Sequence, residues 1–221
     1  MIFENNIKKA CATLKEEGLY LFKTPVYSVG ELEEVIEIQE QSFRPNDNSY
    51  EFGRASRIGS REKWFNTPIY SLFNHPVVHH ISDDFYSCKP SFNEIFCTHD
   101  YQSNRGLARN GYLHFDRIPT LKFFVYLTDC DETSGPFRYV PNSYKLGKEL
   151  RIKANNQTNL YESVPNRLEL DYPELEYSAE DTIPLVGPAG TMFVFHSDLF
   201  HMGGIISPSK SRRVMRLHLR L

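Results

Sequence analysis

The sequence predicts a mainly β protein: a double-stranded β-helix, or jelly roll, with N-terminal helices packed on the outside of its major sheet. From Ser91 onward, stretches of β-branched and aromatic residues succeed one another at short intervals. Explicit turn residues separate them, as in Ser134-Gly135-Pro136 and Gly187-Pro188-Ala189-Gly190. Helical spacing, by contrast, is confined to the first 90 residues. Many short strands with regular turns are the pattern of two sheets closed on each other.

The elements follow in order. Phe3, Ile7, Ala10, Cys11 and Leu14 recur at three and four, the spacing of a helix over Phe3 to Glu17 that Gly18 ends. Leu19 to Phe22 reads as a short strand. Leu32, Val35, Ile36 and Ile38 place a second helix over Glu31 to Phe43. Arg44 to Ser60 collects Pro, Asn, Ser and Gly without a period and reads as a long exposed loop, a candidate lid. Pro76 opens a short helix to Phe85. Strands are expected at 92–101, 111–116, 121–128, 136–140, 182–186, 191–196, 199–202 and 212–219. Residues 144–181 are polar, with no sustained period, and read as an insertion that leaves the barrel and returns. A single domain over 1–221 results, with 1–90 as helical support and 91–221 as the jelly-roll core.

Composition narrows the function classes. The 25 basic residues nearly balance the 28 acidic ones, and a net charge of -3 gives no footprint for a nucleic-acid partner. No apolar run reaches the roughly 18 residues of a membrane helix, and Met1 to Gly18 is too charged for a signal peptide. A small-molecule substrate, a cytoplasmic location and a monomer or weak homo-oligomer are expected. The four cysteines are scattered without zinc or redox spacing.

The chemistry centres on His114-Phe115-Asp116. Residues two apart on a strand share a face, so His114 and Asp116 can present both side chains to one cavity while Phe115 packs behind the sheet. With a second imidazole they make the ligand set that holds a non-heme Fe(II) and leaves positions open. His196 and His201 both offer that imidazole; His201 is preferred, because ten residues separate it from Arg212, enough for one loop and a facing strand. Period 2 places Arg212, Val214, Arg216 and His218 on one side of the last strand and Arg213, Met215 and Leu217 on the other. An arginine fork there would match the carboxylate of a dicarboxylic acid, with no single arginine marked out. His99, Tyr101 and Lys122 are candidate co-substrate contacts. Arg54, Arg57 and Arg138 are candidate contacts for an anionic substrate. His75, His79 and His80 lack a carboxylate at ligand spacing and read as structural or exposed.

These residues carry a family resemblance. His114-Phe-Asp, Leu121-Lys-Phe-Phe-Val-Tyr-Leu-Thr-Asp, Ser134-Gly-Pro-Phe-Arg-Tyr-Val-Pro-Asn-Ser-Tyr, Gly190-Thr-Met-Phe-Val-Phe, His201-Met-Gly-Gly and Arg212 stand in that order between Gly111 and Leu221. Together they resemble the phytanoyl-CoA dioxygenase family of Fe(II)- and 2-oxoglutarate-dependent oxygenases. The resemblance implies a cupin-like jelly roll, with iron on His114, Asp116 and His201 and the far carboxylate of 2-oxoglutarate on Arg212. It also implies use of O2 to hydroxylate a C–H bond, with release of succinate and CO2. Related halogenases carry a small residue in place of the carboxylate, so Asp116 favours oxidation over halogenation. The family hairpin Pro-Gly-Ser-His reads Pro141-Asn142-Ser143-Tyr144 here, which removes any basis for borrowing one member's substrate. Two other classes share the residues: a metal-binding sensor without turnover, and a cupin-type enzyme that does not use 2-oxoglutarate.

Overall fold

Alternating burial along the β-branched and aromatic stretches of the C-terminal half produces two antiparallel sheets, each with one face turned toward the other. The computed structural model describes residues 2–23, 25–42, 49–50, 53–58, 66–90, 92–102, 111–156, 167–169 and 177–220. Its strands are β1 (Leu19–Leu21), β2 (Ser49–Tyr50), β3 (Gly53–Ile58), β4 (Phe92–Tyr101), β5 (His114–Asp116) and β6 (Leu121–Tyr126). They continue as β7 (Phe137–Tyr139), β8 (Arg167–Glu169), β9 (Ile183–Leu185), β10 (Met192–His196), β11 (His201–Gly203) and β12 (Ser211–Arg220). The major sheet runs β1-β10-β6-β12-β4-β3-β2 and the minor sheet β8-β5-β11-β7-β9. Both orders interleave strands distant in sequence, as a jelly roll requires.

Helices α1 (Ile2–Glu17), α2 (Val29–Ser42), α3 (Pro68–Asn74) and α4 (Pro76–Tyr86) cover the outer face of the major sheet. Leu14, Val35, Leu72 and Ile81 meet Ile95, Cys97, Phe123, Val194, Met215 and Leu217 there, all essentially without solvent exposure. Local chemistry sets the helix ends. Ser28 and Glu31 form a reciprocal capping box before α2. Pro76 opens α4, and Nδ1 of His75 accepts from the Val77 amide, so this histidine is a cap, as expected of a structural residue. Gly18 ends α1 at φ +78, where a Cβ would lie 2.6 Å from Tyr144. No helix among the described residues is long and apolar enough to cross a membrane.

Two segments differ from their sequence reading. Residues 53–58, expected within a lid loop, form β3, which pairs along its length with β4 and widens the major sheet. This strand is held by backbone ladder bonds to β4 and, at its start, to β2, so a polar sequence such as Arg54-Ala-Ser-Arg-Ile58 forms it without an apolar period. Arg54 and Arg57 therefore lie on a strand; their side chains fall outside the described residues. The expected insertion opens as α5 (Tyr144–Asn156), whose Leu146, Leu150 and Ala154 face inward at helical spacing amid charged residues. Gly147 lets α5 approach the Asp198 carbonyl so closely that a Cβ would sit 1.8 Å from its oxygen. Residues 157–166 and 170–176 of that segment lie outside the described residues; β8 between them extends the minor sheet beside β5.

Candidate metal centre and its surroundings

The inward faces of the sheets follow from period 2. On β6 these are Lys122, Phe124 and Tyr126; on β10, Phe193 and Phe195; on β12, Arg212, Val214, Arg216 and His218. The Tyr126 hydroxyl donates to Leu185 O at 2.8 Å and accepts from the Phe137 amide at 2.9 Å, fixing one sheet against the other.

His114 and His201 are cross-strand partners on β5 and β11, with ring centroids 4.4 Å apart. Asp116 follows on the same face of β5, and ligand atoms of the three residues lie within 4.8 Å of one another, all buried. Each imidazole is set in the same way: Nδ1 lies 2.7 Å from the carbonyl two residues upstream, Tyr112 O for His114 and Leu199 O for His201. A carbonyl there holds Nδ1 protonated and leaves the Nε2 lone pair for a metal, the outer-shell arrangement of metal-bound histidines. Lys122 reaches Asp116 Oδ2 at 2.5 Å, leaving Oδ1 without a partner among the described residues. Two imidazoles and one free carboxylate oxygen thus converge as donors, and this set fits a ferrous ion.

The loops beside the triad are cross-braced. Asp116 N donates to Ser197 O, Ser197 N to Thr120 O, and Thr120 N to Ser197 Oγ, each at 2.9 Å. Arg151 of α5 grips the fully buried Asp198 carboxylate through Nε and Nη2, at 2.5 and 3.1 Å. Electrostatics match the donor assignment. Burial pushes the Asp116 carboxyl up, but neighbouring positive charge, the Lys122 ammonium foremost, outweighs it and holds it well below the usual carboxylate range. Burial first, then His114 and Lys122, push His201 well below its ordinary value, so its ring is neutral.

His196 is not part of this cluster. It ends β10 on the helix-facing side, stacked on Phe85 at 5.4 Å and edge-on to Tyr144 at 5.3 Å, with Nδ1 3.2 Å from Asp198 N. Alternation from Phe193 and Phe195 would have excluded it. Arg212 does face inward. Its Nε and Nη2 donate to Asp100 Oδ2 at 3.3 and 2.8 Å, and its Nη1 donates to Gly135 O. Burial works against its charge, yet Asp100 more than compensates and raises its affinity for the proton.

Three other candidates lie away from the triad. His99 and Tyr101 share the outer face of β4 with Ile95 and Cys97: His99 Nδ1 stands 4.0 Å from Glu40 of α2, and Tyr101 is exposed. The inward set of that strand is Glu94, Phe96, Thr98 and Asp100. Arg138 points away from the interior between Phe137 and Tyr139, and clamps Thr182 through Oγ1 at 2.7 Å and O at 2.8 Å. The sequence reading missed Asp100; an acidic residue two positions from the buried Thr98, facing the arginine-rich strand, was its only signal.

Residues 29–214 match the profile of the Phytanoyl-CoA dioxygenase (PhyH) family. No curated protein matches the chain. Among solved structures, the epimerase SnoN in complex with Fe3+, alpha ketoglutarate and nogalamycin RO is 14% identical, with a TM-score of 0.64, covering 98% of this chain and 84% of its own. The carbocyclase SnoK from nogalamycin biosynthesis is 18% identical, with a TM-score of 0.62 and coverages of 96% and 83%. HygX from Streptomyces hygroscopicus, with nickel, 2-oxoglutarate and hygromycin B bound, is 16% identical, with a TM-score of 0.61 and coverages of 96% and 86%. These likenesses show a shared fold, and the profile spans most of the sequence: the chain belongs to the phytanoyl-CoA dioxygenase (PhyH) family of iron- and 2-oxoglutarate-dependent oxygenases.

Proposed function

We propose that this oxygenase hydroxylates a C–H bond of a small-molecule metabolite, with His114, Asp116 and His201 holding Fe(II) and Arg212 holding the far carboxylate of 2-oxoglutarate. The convergence of two Nε2-presenting imidazoles and one free carboxylate oxygen carries this reading. The chemistry supplied by iron, 2-oxoglutarate and O2 in such a site is oxidative decarboxylation, which sends one oxygen atom to succinate and the other to the substrate, with loss of CO2.

What the chain contributes is placement. The two carbonyls fix which imidazole nitrogen is offered, and Lys122 orients Asp116 toward one-oxygen ligation. Of the five N–H groups of Arg212, Asp100 takes two and Gly135 O one, so Nη1 and Nη2 each keep one for a carboxylate. Asp100 acts through Arg212 and is a positioning residue. Substrate placement decides the outcome of such oxidations, and the structural relatives are themselves named as an epimerase and a carbocyclase.

The experiment is a titration of 2-oxoglutarate into the anaerobic Fe(II) protein, followed by succinate and oxygen-uptake measurements in air. A visible charge-transfer band and oxygen uptake that requires the keto acid are expected. A protein that binds iron but develops no band is a sensor or scaffold, and oxygen uptake indifferent to 2-oxoglutarate identifies a cupin-type enzyme of another class. Isotopically labelled O2 appearing in the product separates hydroxylation from epimerisation or ring closure.

A further inference from the structure

The barrel interior holds cations of unequal standing. Lys122 is paired with Asp116 and Arg212 with Asp100. Arg216 has no carboxylate partner among the described residues. Its guanidinium carbon lies 5.8 Å from the Phe96 ring centroid and 5.6 Å from that of Phe124, and its Nε is buried without a hydrogen bond. The next inward residue on β12, His218, packs against Phe96 at 4.9 Å, and its Nε2 is likewise buried and unbonded. Residues two apart on one strand face aim at the same volume. That volume borders the triad, since His218 is the cross-strand partner of Lys122, whose ammonium touches Asp116.

Buried polar atoms are ordinarily satisfied, and an orphaned pair on one wall requires an explanation. Ring contact compensates the charge of Arg216 in part but gives its Nε–H no acceptor. The free Nε edge is the side-on fork that matches a carboxylate in bidentate geometry, and a neutral imidazole can add an Nε2–H. Phe96 and Phe124 supply apolar ring surface beside it. We infer that Arg216 and His218 form a carboxylate site separate from Arg212, and that the molecule oxidised is an apolar or aromatic carboxylic acid. The substrate half of this inference rests on the oxygenase reading; the anion site does not.

The test uses acetate, isovalerate, benzoate and phenylacetate, each against its own amide, in two settings. One is thermal melting of the metal-free protein. The other is perturbation of the visible band of the anaerobic Fe(II) protein saturated with 2-oxoglutarate. At least one acid should bind roughly 10-fold more tightly than its amide, as a charge-assisted fork requires. Arg216→Met should erase that preference while leaving 2-oxoglutarate affinity within about 2-fold. Arg216→Lys, which keeps the charge but not the fork, should fold and lose most of the preference; His218→Gln should weaken it. Equal binding of acids and amides overturns the inference, as does a preference retained in Arg216→Met with only a lower melting temperature. An Arg216→Met protein that loses 2-oxoglutarate affinity instead assigns the arginine to the co-substrate and also overturns it. If the wild-type Fe(II) protein gives no band while acids still stabilise the metal-free protein, the oxygenase reading fails, and the substrate half with it, but the anion site stands.

Discussion

Part of the barrel interior is filled with rings from β6, β7 and β10; another part is lined with ionisable groups from β4, β5, β11 and β12. In the first half Phe137 lies 4.5 Å from Phe195 and 5.1 Å from Phe193, and Phe124 lies 5.3 Å from Phe193. The second comprises three metal-ligand candidates, the Arg212–Asp100 pair and the two unbonded nitrogens of Arg216 and His218. The donor atoms of the triad and the two unbonded nitrogens are the groups of this set that a bound ion or carboxylate would complete. One half of the barrel sets the shape, and the other depends on what enters it.

If the halves divide labour in this way, substitutions should separate cleanly. His114→Ala removes one of three ligands from the ligand-dependent half and should abolish 2-oxoglutarate-dependent succinate formation, while the metal-free protein keeps its urea-unfolding transition. Retained turnover would show that iron is held elsewhere. Phe193→Ala should do the reverse. Its side chain has no solvent exposure, and truncation should cost about 3–5 kcal/mol in the unfolding midpoint. Activity should fall only in proportion to folded protein and recover on cooling. A Phe193→Ala protein of native stability but no turnover would break the comparison.

Histidines sharpen it through pH. Burial in the helix layer lowers the pKa of His196 from 6.5 to about 4, with Asp198 acting in the opposite sense. The unfolded chain therefore binds more protons between these values, so stability rises with pH there; the contribution is complete above 6.5 and lost as pH falls toward 4. For this residue the loss at pH 5 should be on the order of 2 kcal/mol. Burial likewise pushes His201 and His218 down and adds to the slope of the metal-free protein. His196→Gln should flatten only its own share, measured as the difference between variant and wild-type urea midpoints from pH 7.5 to 4.5. Equal slopes in the two proteins would mean that His196 is solvated.

Much of this was legible before any coordinates, and the exceptions share a cause. The order of the jelly-roll strands follows from turn residues and β-rich stretches, and the spacing of His114 and Asp116 follows from strand period. Both are local properties. Strand β3 is not local: its polar residues are held by the ladder to β4, which leaves no trace in periodicity. α5 is masked because only a narrow stripe of it is buried beneath Lys145, Lys148, Glu149 and Lys153. The placement of His99 and Tyr101 turns on a single residue of phase. Ile95 and Cys97 pack on the helices, so every second residue after them does too, and a one-residue slip exchanges cavity for surface. Asp100 became visible only as the cross-strand neighbour of Arg212.

That pair supplies the finest test of the division between the halves. Asp100 and Arg212 retain 10% and 12% side-chain exposure, and Asp100 Oδ2 also receives the Thr98 hydroxyl at 3.4 Å. Asp100→Asn keeps the shape and removes the charge that compensates the guanidinium. Because a little solvent reaches the pair, the cost should be about 2 kcal/mol rather than the ~3–5 of a wholly buried ion pair. If Arg212 meets the far carboxylate of 2-oxoglutarate, the co-substrate replaces part of the missing charge. It should then raise the melting temperature of the Asp100→Asn protein more than that of the wild type, since a ligand stabilises by its affinity for the folded state alone. An equal shift in both proteins would detach Arg212 from the co-substrate and leave the Arg212–Asp100 pair a purely structural clasp between β4 and β12.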